Sequence, residues 1–234
     1  MIIDYNNHCL PNMYDGSSSV DEAVAVLNEL KKQNINNVFL TPSYLNTGET
    51  VRAFIKRRNN AYSLMTGKIP RGMHVYLAAQ ILFFNDTLDN CYISRLTYQK
   101  SPYLFIDLPI IDNLEWLESE LHYLLYKTKL IPVFANFERY SQIYSPQLFK
   151  YLINIPYAIY QFNSYSLNET VNIEIINKLC TKSKTIIFGS KASNVTDKLS
   201  CMTSNIENLK NYISIENYRE LIIGGRKFYN KIMR

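Results

Sequence analysis

Short apolar runs along this chain alternate with longer segments in which apolar residues recur every three or four positions. The short runs are typical of buried β-strands, and the longer segments are typical of amphipathic helices. The pattern predicts seven strands, at residues 2–5, 37–41, 73–83, 103–108, 131–135, 157–162 and 185–189. It predicts helices over residues 48–66, 146–153 and 168–180, and mostly helix from about residue 196 onward.

Two further helices carry more specific signals. Ser19-Val20-Asp21-Glu22 is a capping-box pattern, in which Ser19 accepts a hydrogen bond from the Glu22 amide and Glu22 reaches back. The other helix is indicated by five leucines that fall on one helical face: Leu114, Leu117, Leu121, Leu124 and Leu125.

Seven strand–helix units predict an α/β fold, either a parallel barrel or a doubly wound sheet. No linker rich in Pro, Gly or Ser divides the chain, so residues 1–234 are expected to form a single domain. In both architectures functional groups gather at the carboxyl ends of the strands. The residues at these ends are Asn6, Asn7, His8, Ser43, Tyr44, Gln80, Asp107, Asn136, Glu138, Arg139, Gln161 and Ser190 to Asn194. Most of their side chains are amides and hydroxyls, and few of them titrate or bind metal tightly.

The composition narrows the class of protein. Hydrophobic residues make up 47% of the chain and charged residues 19%, which allows a sizeable core and argues against disorder. No CxxC pair is present, so the cysteines are expected to be free thiols in a reducing cytosol rather than zinc ligands: Cys9, Cys91, Cys180 and Cys201. The start of the chain does not resemble a signal peptide, and no apolar stretch is long enough to span a membrane, so we expect a cytoplasmic protein.

The formal net charge of +5 is spread along the chain. The densest basic run is Lys56-Arg57-Arg58, which we interpret as the solvated face of a helix; a nucleic-acid or membrane patch is the alternative. No segment resembles a nucleic-acid-binding motif, and no nucleic-acid partner is predicted.

Four segments in the chain form a recognisable set: Asp4 to Gly16, Thr41 to Tyr44, Ala135 to Tyr140, and Ser190 to Asn194. In order, they resemble the motifs His-x-His-x-Leu-Pro-x-x-x-Asp-Gly, Thr-Pro-His-His, Ala-His-Pro-Glu-Arg-Tyr and Ser-Asp-Ala-His-Asn of the polymerase and histidinol phosphatase (PHP) family. The most similar branch is the manganese-dependent tyrosine phosphatases of capsule and exopolysaccharide operons. The gaps between the segments are also similar, and the resemblance covers nearly the whole chain.

The resemblance implies a distorted (β/α)7 TIM-like barrel of the PHP type. It also implies a multi-metal cluster that activates a water molecule to attack phosphorus, held by neutral imidazoles and ionised carboxylates. Of eight ligand positions carried over, only His8 and Asp107 keep ligand side chains, and Asp107 is a shortened acid. The other six positions carry residues that bind metals poorly: Asn6, Ser43, Gln80, Asn136, Lys191 and Ser193. The chain therefore resembles a degenerate member of the family, which is expected to hold no metal. If it is active, manganese or another divalent metal is expected instead.

The resemblance also implies a site for an anion. Arg139 falls on the arginine with which family enzymes hold the substrate phosphate, and Lys198 falls where the family often has a second phosphate-binding arginine. With Lys191, these residues could bind phosphate, phosphotyrosine or another small anion without metal. Two structural alternatives remain open: His8 is a buried, hydrogen-bonded histidine, and Arg139 pairs with Glu138 or Asp15.

Three functions are consistent with the sequence. The first is a non-catalytic binding or regulatory protein of capsule or exopolysaccharide biosynthesis, whose partner is a tyrosine-phosphorylated protein or a bacterial tyrosine kinase. Such a protein could act as a monomer or as an oligomer. The second is an active metal-dependent phosphoesterase with an atypical site built on His8 and Asp107. The third is a metal-free enzyme that uses Lys191 and Asp107 as an acid–base pair.

Overall fold

The computed structural model of the chain describes residues 1–90, 92–111, 115–196, 199 and 201–234. Its strands are β1 Asp4–Asn7, β2 Asn37–Leu40, β3 Ser43–Tyr44, β4 His74–Leu77, β5 Gln80–Leu82, β6 Tyr103–Asp107, β7 Ile131–Phe134, β8 Ile159–Asn163 and β9 Thr185–Gly189. The helices in the described part of the chain are α1 Val20–Lys32, α2 Val51–Ser63, α3 Leu117–Tyr126, α4 Tyr140–Ile143, α5 Pro146–Leu152, α6 Thr170–Thr181, α7 Met202–Asn208 and α8 Ile215–Ile232.

The strands form a parallel barrel. Two sheets, β1-β2-β4 and β3-β5-β6-β7-β8-β9, contain only parallel pairs. β2 and β3 are halves of one interrupted strand, as are β4 and β5, so the seven predicted strands are confirmed. The backbone beside β1 bonds to the segment after β9: Lys191 N donates to Asn6 O at 2.6 Å, and His8 N donates to Ala192 O at 3.0 Å. Of the two predicted architectures, the molecule adopts the barrel.

The two interruptions have local causes. Pro42 has no N–H to donate to the ladder, so the second strand breaks after Leu40. In the third strand, which was predicted as continuous over 73–83, the carbonyl of Ala78 turns away to accept from Arg58 Nη1 at 2.8 Å. The apolar run continues through this break, and for this reason the pattern of the sequence did not reveal it.

The basic run on α2 is not the solvated face that its composition predicted. Arg58 is buried, and burial lowers its pKa to about 10. Arg57 pairs with Glu49, with 2.5 Å between Nη2 and Oε2. Only Lys56 of this run is freely exposed. One buried arginine and one paired arginine leave little charge for a nucleic-acid or membrane patch here.

Arg58→Ala is expected to lower the free energy of unfolding by about 2 kcal/mol, because it leaves the buried Ala78 carbonyl without a donor. Urea denaturation followed by circular dichroism measures the loss. The matched control is Arg52→Ala on an exposed turn of the same helix, for which a change within about 0.5 kcal/mol is expected. Equal effects of the two substitutions would contradict the structural role of Arg58.

Element boundaries shift in places that matter for the site. The first strand was predicted at residues 2–5 but begins at Asp4, so Asn6 and Asn7 lie within it and are fully buried. The predicted capping bond is present, with Glu22 N donating to Ser19 Oγ at 3.1 Å. The Glu22 carboxylate, however, accepts from Ser18 N, at 2.6 Å, rather than from Ser19.

The barrel interior and its amino-terminal end are filled by aromatic rings. Phe228 of α8 packs against Tyr5, Tyr98 and Tyr103, with ring centroids 4.9–6.0 Å apart. Tyr5 donates through its hydroxyl to Gly225 O of α8 at 2.7 Å. Helix α8 therefore covers the amino-terminal end of the barrel and leaves the carboxyl end for the candidate site.

Two remaining expectations concern leucines and cysteines. On α3, Leu117, Leu121 and Leu124 are buried and Leu125 is half-buried, while Leu114 lies outside the described residues. The cysteines in the described ranges are free thiols, namely Cys9, Cys180 and Cys201; Cys91 lies outside these ranges. Among the described residues, no helix combines the length and apolarity needed to cross a bilayer.

Candidate functional site

A pocket of about 450 Å³ opens at the carboxyl ends of the strands. Six of the eight ligand positions named above line it: His8, Ser43, Gln80, Asp107, Lys191 and Ser193. The other two, Asn6 and Asn136, are fully buried and hydrogen-bond to pocket residues. The fold thus brings all eight positions together, as the resemblance implied.

Asp107, at the end of β6, accepts hydrogen bonds from four side chains. Its Oδ1 accepts from Arg139 Nη2 at 2.5 Å and from Tyr140 Oη at 3.0 Å. Its Oδ2 accepts from Gln80 Nε2 at 2.9 Å and from Asn136 Nδ2 at 3.0 Å. Burial alone would lower the pKa of Arg139, but the Asp107 carboxylate, Tyr140 and Glu138 together outweigh burial and raise it, so the guanidinium stays charged.

A chain of side-chain amides runs from Asp107 across the barrel. Asn136 donates to Asp107, and Asn163 Nδ2 donates to Asn136 Oδ1 at 2.9 Å. Gln161 Nε2 donates to Asn163 Oδ1 at 3.3 Å, and Asn6 Nδ2 donates to Gln161 Oε1 at 3.1 Å. We call these four amides, Asn136, Asn163, Gln161 and Asn6, the amide relay.

The direction of the amide relay is determined at two points. An ionised carboxylate only accepts, so Asn136 must present its NH₂ to Asp107. The backbone N–H of Asn136 only donates, and it lies 2.9 Å from Gln161 Oε1, which orients that amide independently. Both anchors give the same direction along the relay. The oxygen of Asn6 must therefore be an acceptor, and it lies 2.7 Å from Thr41 Oγ1.

This direction determines what His8 can do. His8 Nε2 lies 2.8 Å from the Asn6 oxygen, and Nδ1 lies 2.5 Å from Asp15 Oδ2. Both ring nitrogens face hydrogen-bond acceptors, so neither presents a free lone pair toward the pocket. Burial alone would raise the pKa of Asp15, but hydrogen bonds from His8 and from Ser43 outweigh it and lower the pKa. His8 is therefore the buried, hydrogen-bonded histidine that was one of the two structural alternatives left open by the sequence.

The cations of the site lie around Asp107. Arg139 pairs with Asp107 and not with Glu138 or Asp15, the two structural partners considered from the sequence. Lys191 has a left-handed backbone, with φ of 52°. Its ammonium makes no hydrogen bond or ion pair with any residue in the described ranges. Burial lowers the pKa of Lys191, opposed in part by the Asp107 carboxylate. Lys198, the third predicted anion-binding residue, lies outside the described residues.

Two residues of the hydrogen-bonded network, Asn163 and Glu138, were not assigned this role from the sequence. Asn163 is a middle member of the amide relay and also donates through Nδ2 to Glu138 Oε1 at 2.6 Å. Burial raises the pKa of Glu138 to about 7. The signal available was the i, i+2 spacing of Gln161 and Asn163 within an apolar strand, because residues two apart lie on the same face.

The residues present do not fit the metal cluster that the resemblance implies. Such a cluster needs imidazole lone pairs and free carboxylate oxygens. His8 has both nitrogens engaged, and the Asp107 carboxylate already accepts four hydrogen bonds. Within the part of the chain that the structure describes, no group of three or more His, Cys, Asp or Glu side chains is placed to hold a metal ion. The remaining positions offer amides, hydroxyls and an ammonium.

Comparison with known proteins agrees with the fold. A solved structure from a study of YwqE of Bacillus subtilis and CpsB of Streptococcus pneumoniae, described as metal-dependent tyrosine phosphatases, superposes with a TM-score of 0.75 at 20% identity over 98% of this chain and 95% of that one. Histidinol phosphate phosphatase of Lactococcus lactis, solved with zinc, L-histidinol and phosphate, gives a TM-score of 0.54 at 11% identity over 90% of this chain and 92% of that one. The predicted α/β barrel of the PHP type, a distorted TIM-like barrel, is confirmed.

Sequence comparison identifies the family. The chain is 24% identical over 148 residues to the proposed tyrosine-protein phosphatase CapC of Staphylococcus aureus, which is 61% of this chain and 56% of that protein. The match thus spans just over half the length of this relative. The family model for capsular polysaccharide synthesis, CpsB/CapC, matches residues 2–225. The chain therefore belongs to the CpsB/CapC family of capsular polysaccharide synthesis.

Proposed function

We propose that this protein binds a phosphomonoester or similar small anion at the carboxyl end of its barrel without hydrolysing it, as a regulatory member of a capsule-synthesis phosphatase family. The observation that carries the proposal is Lys191. Its ammonium stands at a position where the family has a metal-binding aspartate, lines the pocket, and makes no hydrogen bond or ion pair of its own within the described residues. A cation in place of a metal ion repels metals and attracts anions.

The walls of the pocket support a phosphorylated aromatic ligand. Lys191 lines the pocket, and Arg139 pairs with Asp107 at its wall; Asp15, the other carboxylate of the lining, is engaged by His8 and Ser43. Charge-assisted hydrogen bonds from such groups to phosphate are roughly twice as strong as neutral ones. Leu45, Leu82 and Tyr165 also line the pocket. Apolar walls around a few polar groups suit a ring that carries an anion, as in phosphotyrosine.

Loss of hydrolysis is the second part of the proposal. Metal-dependent phosphoester hydrolysis needs a metal-activated water, and the donor groups here do not fit a metal cluster. Burial raises the pKa of Asp107, but its carboxylate already accepts hydrogen bonds from four donors, so no lone pair is free to take a proton from an attacking water. Family membership supports a tyrosine-phosphorylated protein or a bacterial tyrosine kinase as the source of the ligand.

Isothermal titration with phosphate and with phosphotyrosine tests the binding part. Lys191→Met is expected to weaken both ligands about tenfold, because one charge-assisted bond is lost. Lys56→Met, at an exposed position on α2, is the control and should leave both affinities unchanged. Absence of binding at millimolar ligand would overturn the proposal.

Metal analysis and an aryl phosphate assay with manganese test the catalytic part. We expect no bound manganese, zinc or iron in purified protein and no manganese-dependent turnover. Hydrolysis that needs metal and disappears in His8→Ala or Asp107→Ala would instead establish the active phosphoesterase with an atypical site. Metal-free turnover that disappears in Lys191→Met would establish the acid–base pair.

A further inference from the structure

A second cavity, of about 440 Å³, lies at the opposite end of the barrel from the candidate site. It is bordered by residues that precede β1 and β2 and by helices α7 and α8; among its lining residues are Ile2, Tyr218, Ile222 and Ile223. We call it the α8 cleft. Its inner end continues toward the apolar residues under β1 and β9.

The mouth of the α8 cleft carries two arginines and one acidic residue, Glu207, so its charged side chains are net positive. Arg219 and Arg226 line it and lie seven residues apart on one helical face, with Ile222 and Ile223 between them. Both arginines are exposed, and neither makes an ion pair with any described residue. Over residues 207–234 the chain has six basic and three acidic residues, so the positive charge extends beyond the two arginines.

Exposed apolar side chains surround the same helix. Ile215 and Ile223 are 48% and 39% exposed, and Tyr212 and Met233 are similarly exposed. Apolar residues exposed together beside basic ones mark a binding surface more often than apolar residues scattered singly. The pattern differs from that on α2, where Arg57 is paired and Arg58 is buried.

We propose that the α8 cleft and the surrounding face dock the protein onto a membrane that contains anionic lipids. Arginines at the surface attract anionic headgroups, and isoleucine side chains beside them can enter the boundary between headgroups and acyl chains. The complementarity of charge selects an anionic partner, and the apolar floor between the arginines selects an amphiphile over a free anion. Because the candidate site opens at the other end of the barrel, docking in this way leaves that site facing away from the bilayer.

Vesicle flotation with the full chain tests the inference. One set of vesicles contains equal parts of phosphatidylglycerol and phosphatidylcholine, and the other contains phosphatidylcholine alone. Wild-type protein is expected to float with the first set and not with the second, and high salt should weaken the association. Arg219→Glu combined with Arg226→Glu should reduce binding at least about tenfold.

The matched control is Arg52→Glu combined with Lys56→Glu, two exposed positions on α2 with the same change in net charge. A less than threefold effect is expected there, because these residues lie away from the α8 cleft. Ile223→Ser, which leaves the charge unchanged, should still reduce binding several-fold and separates the apolar contribution. Circular dichroism and urea denaturation of each variant verify that the barrel is intact.

Two results would overturn the inference. One is wild-type protein that floats with neither vesicle set, and the other is an equal loss in the α2 and α8 double variants, which would indicate general attraction by net charge. Light scattering tests whether a second copy of the chain occupies the face instead. If the protein binds no vesicles but forms a dimer that Ile223→Ser dissociates, a second copy covers the face. The inference is independent of the proposed anion binding, so either can fail alone.

Discussion

Asp107→Asn should lower the free energy of unfolding by about 2–3 kcal/mol, because it removes the charged acceptor of several buried hydrogen bonds, although the Arg139 side chain is 31% exposed. In the wild type, Arg139 Nη2 lies 2.5 Å from Asp107 Oδ1. The substitution therefore leaves the Arg139 guanidinium without its counter-charge. It also places an NH₂ group among the donors of Gln80, Asn136 and Tyr140, all of which currently donate to this carboxylate. At least one of these donors would then face another donor.

The same substitution should strengthen anion binding. Asp107 is the carboxylate that acts most strongly on Lys191 and it pairs with Arg139, so removing it makes the surroundings of the pocket more positive by one charge. We expect phosphate to bind several-fold more tightly at a temperature where the variant is still folded. Loss of stability together with gain of affinity is the mark of a site that carries excess positive charge for a ligand.

Urea denaturation and phosphate titration measure the two effects. Asp21→Asn is the control: the Asp21 carboxylate pairs with Lys68 at 3.1 Å but is 90% exposed, so its loss should cost less than about 1 kcal/mol and leave phosphate binding unchanged. If Asp107→Asn is as mild as Asp21→Asn, Asp107 does not organise the site. If it abolishes phosphate binding while the fold remains, the Asp107 carboxylate contacts the ligand instead of opposing it.

The protein should become more stable as the pH falls from 8 to 5, by an amount on the order of 3 kcal/mol. Burial raises the pKa of Asp4 to about 6 and that of Glu138 to about 7, whereas ordinary carboxyl groups titrate near 4. In the window between about pH 4 and 7 the folded chain therefore binds more protons than the unfolded chain. Stability consequently falls as the pH rises through the raised values.

Asp15 acts in the opposite direction but in a different window. Its pKa is lowered in the folded chain by hydrogen bonds from His8 and Ser43 that outweigh burial. The stability that it contributes is present above the ordinary carboxyl pKa and is lost only in more acidic solution. Stability should therefore pass through a maximum near pH 4 and decline on both sides.

Denaturation at a series of pH values measures this profile. Glu138→Gln keeps the shape of the side chain and the acceptor for Asn163, so it should flatten the slope between pH 5 and 8 by about half. Glu216→Gln, at an exposed position on α8, should leave the slope unchanged. A wild-type profile that rises with pH across this window would show that Asp4 and Glu138 are not held in the protonated form.

Local pattern was enough to determine the strands, most helices and the group of residues that line the pocket. The carboxyl ends of parallel strands meet at one end of a barrel, so the gathering of His8, Ser43, Gln80 and Asp107, each in or just after the last part of a predicted strand, follows from chain order. Helix caps are equally local, since Ser19 and the Glu22 amide are three residues apart. These features depend on contacts within one element or on a rule that holds for every parallel barrel.

The tertiary structure alone decided how the site residues are used. The direction of hydrogen bonding in the amide relay depends on contacts such as Asn6 with Gln161, which are 155 residues apart. The pairing of Arg139 with Asp107, and the burial of Arg58 inside a basic run, likewise depend on partners from other elements. Side-chain identity specifies which atoms can donate or accept, but only the folded arrangement specifies which partner each atom meets. For this reason the loss of metal ligands is visible in the sequence, whereas the hydrogen-bonded network that stands in their place is visible only in the barrel.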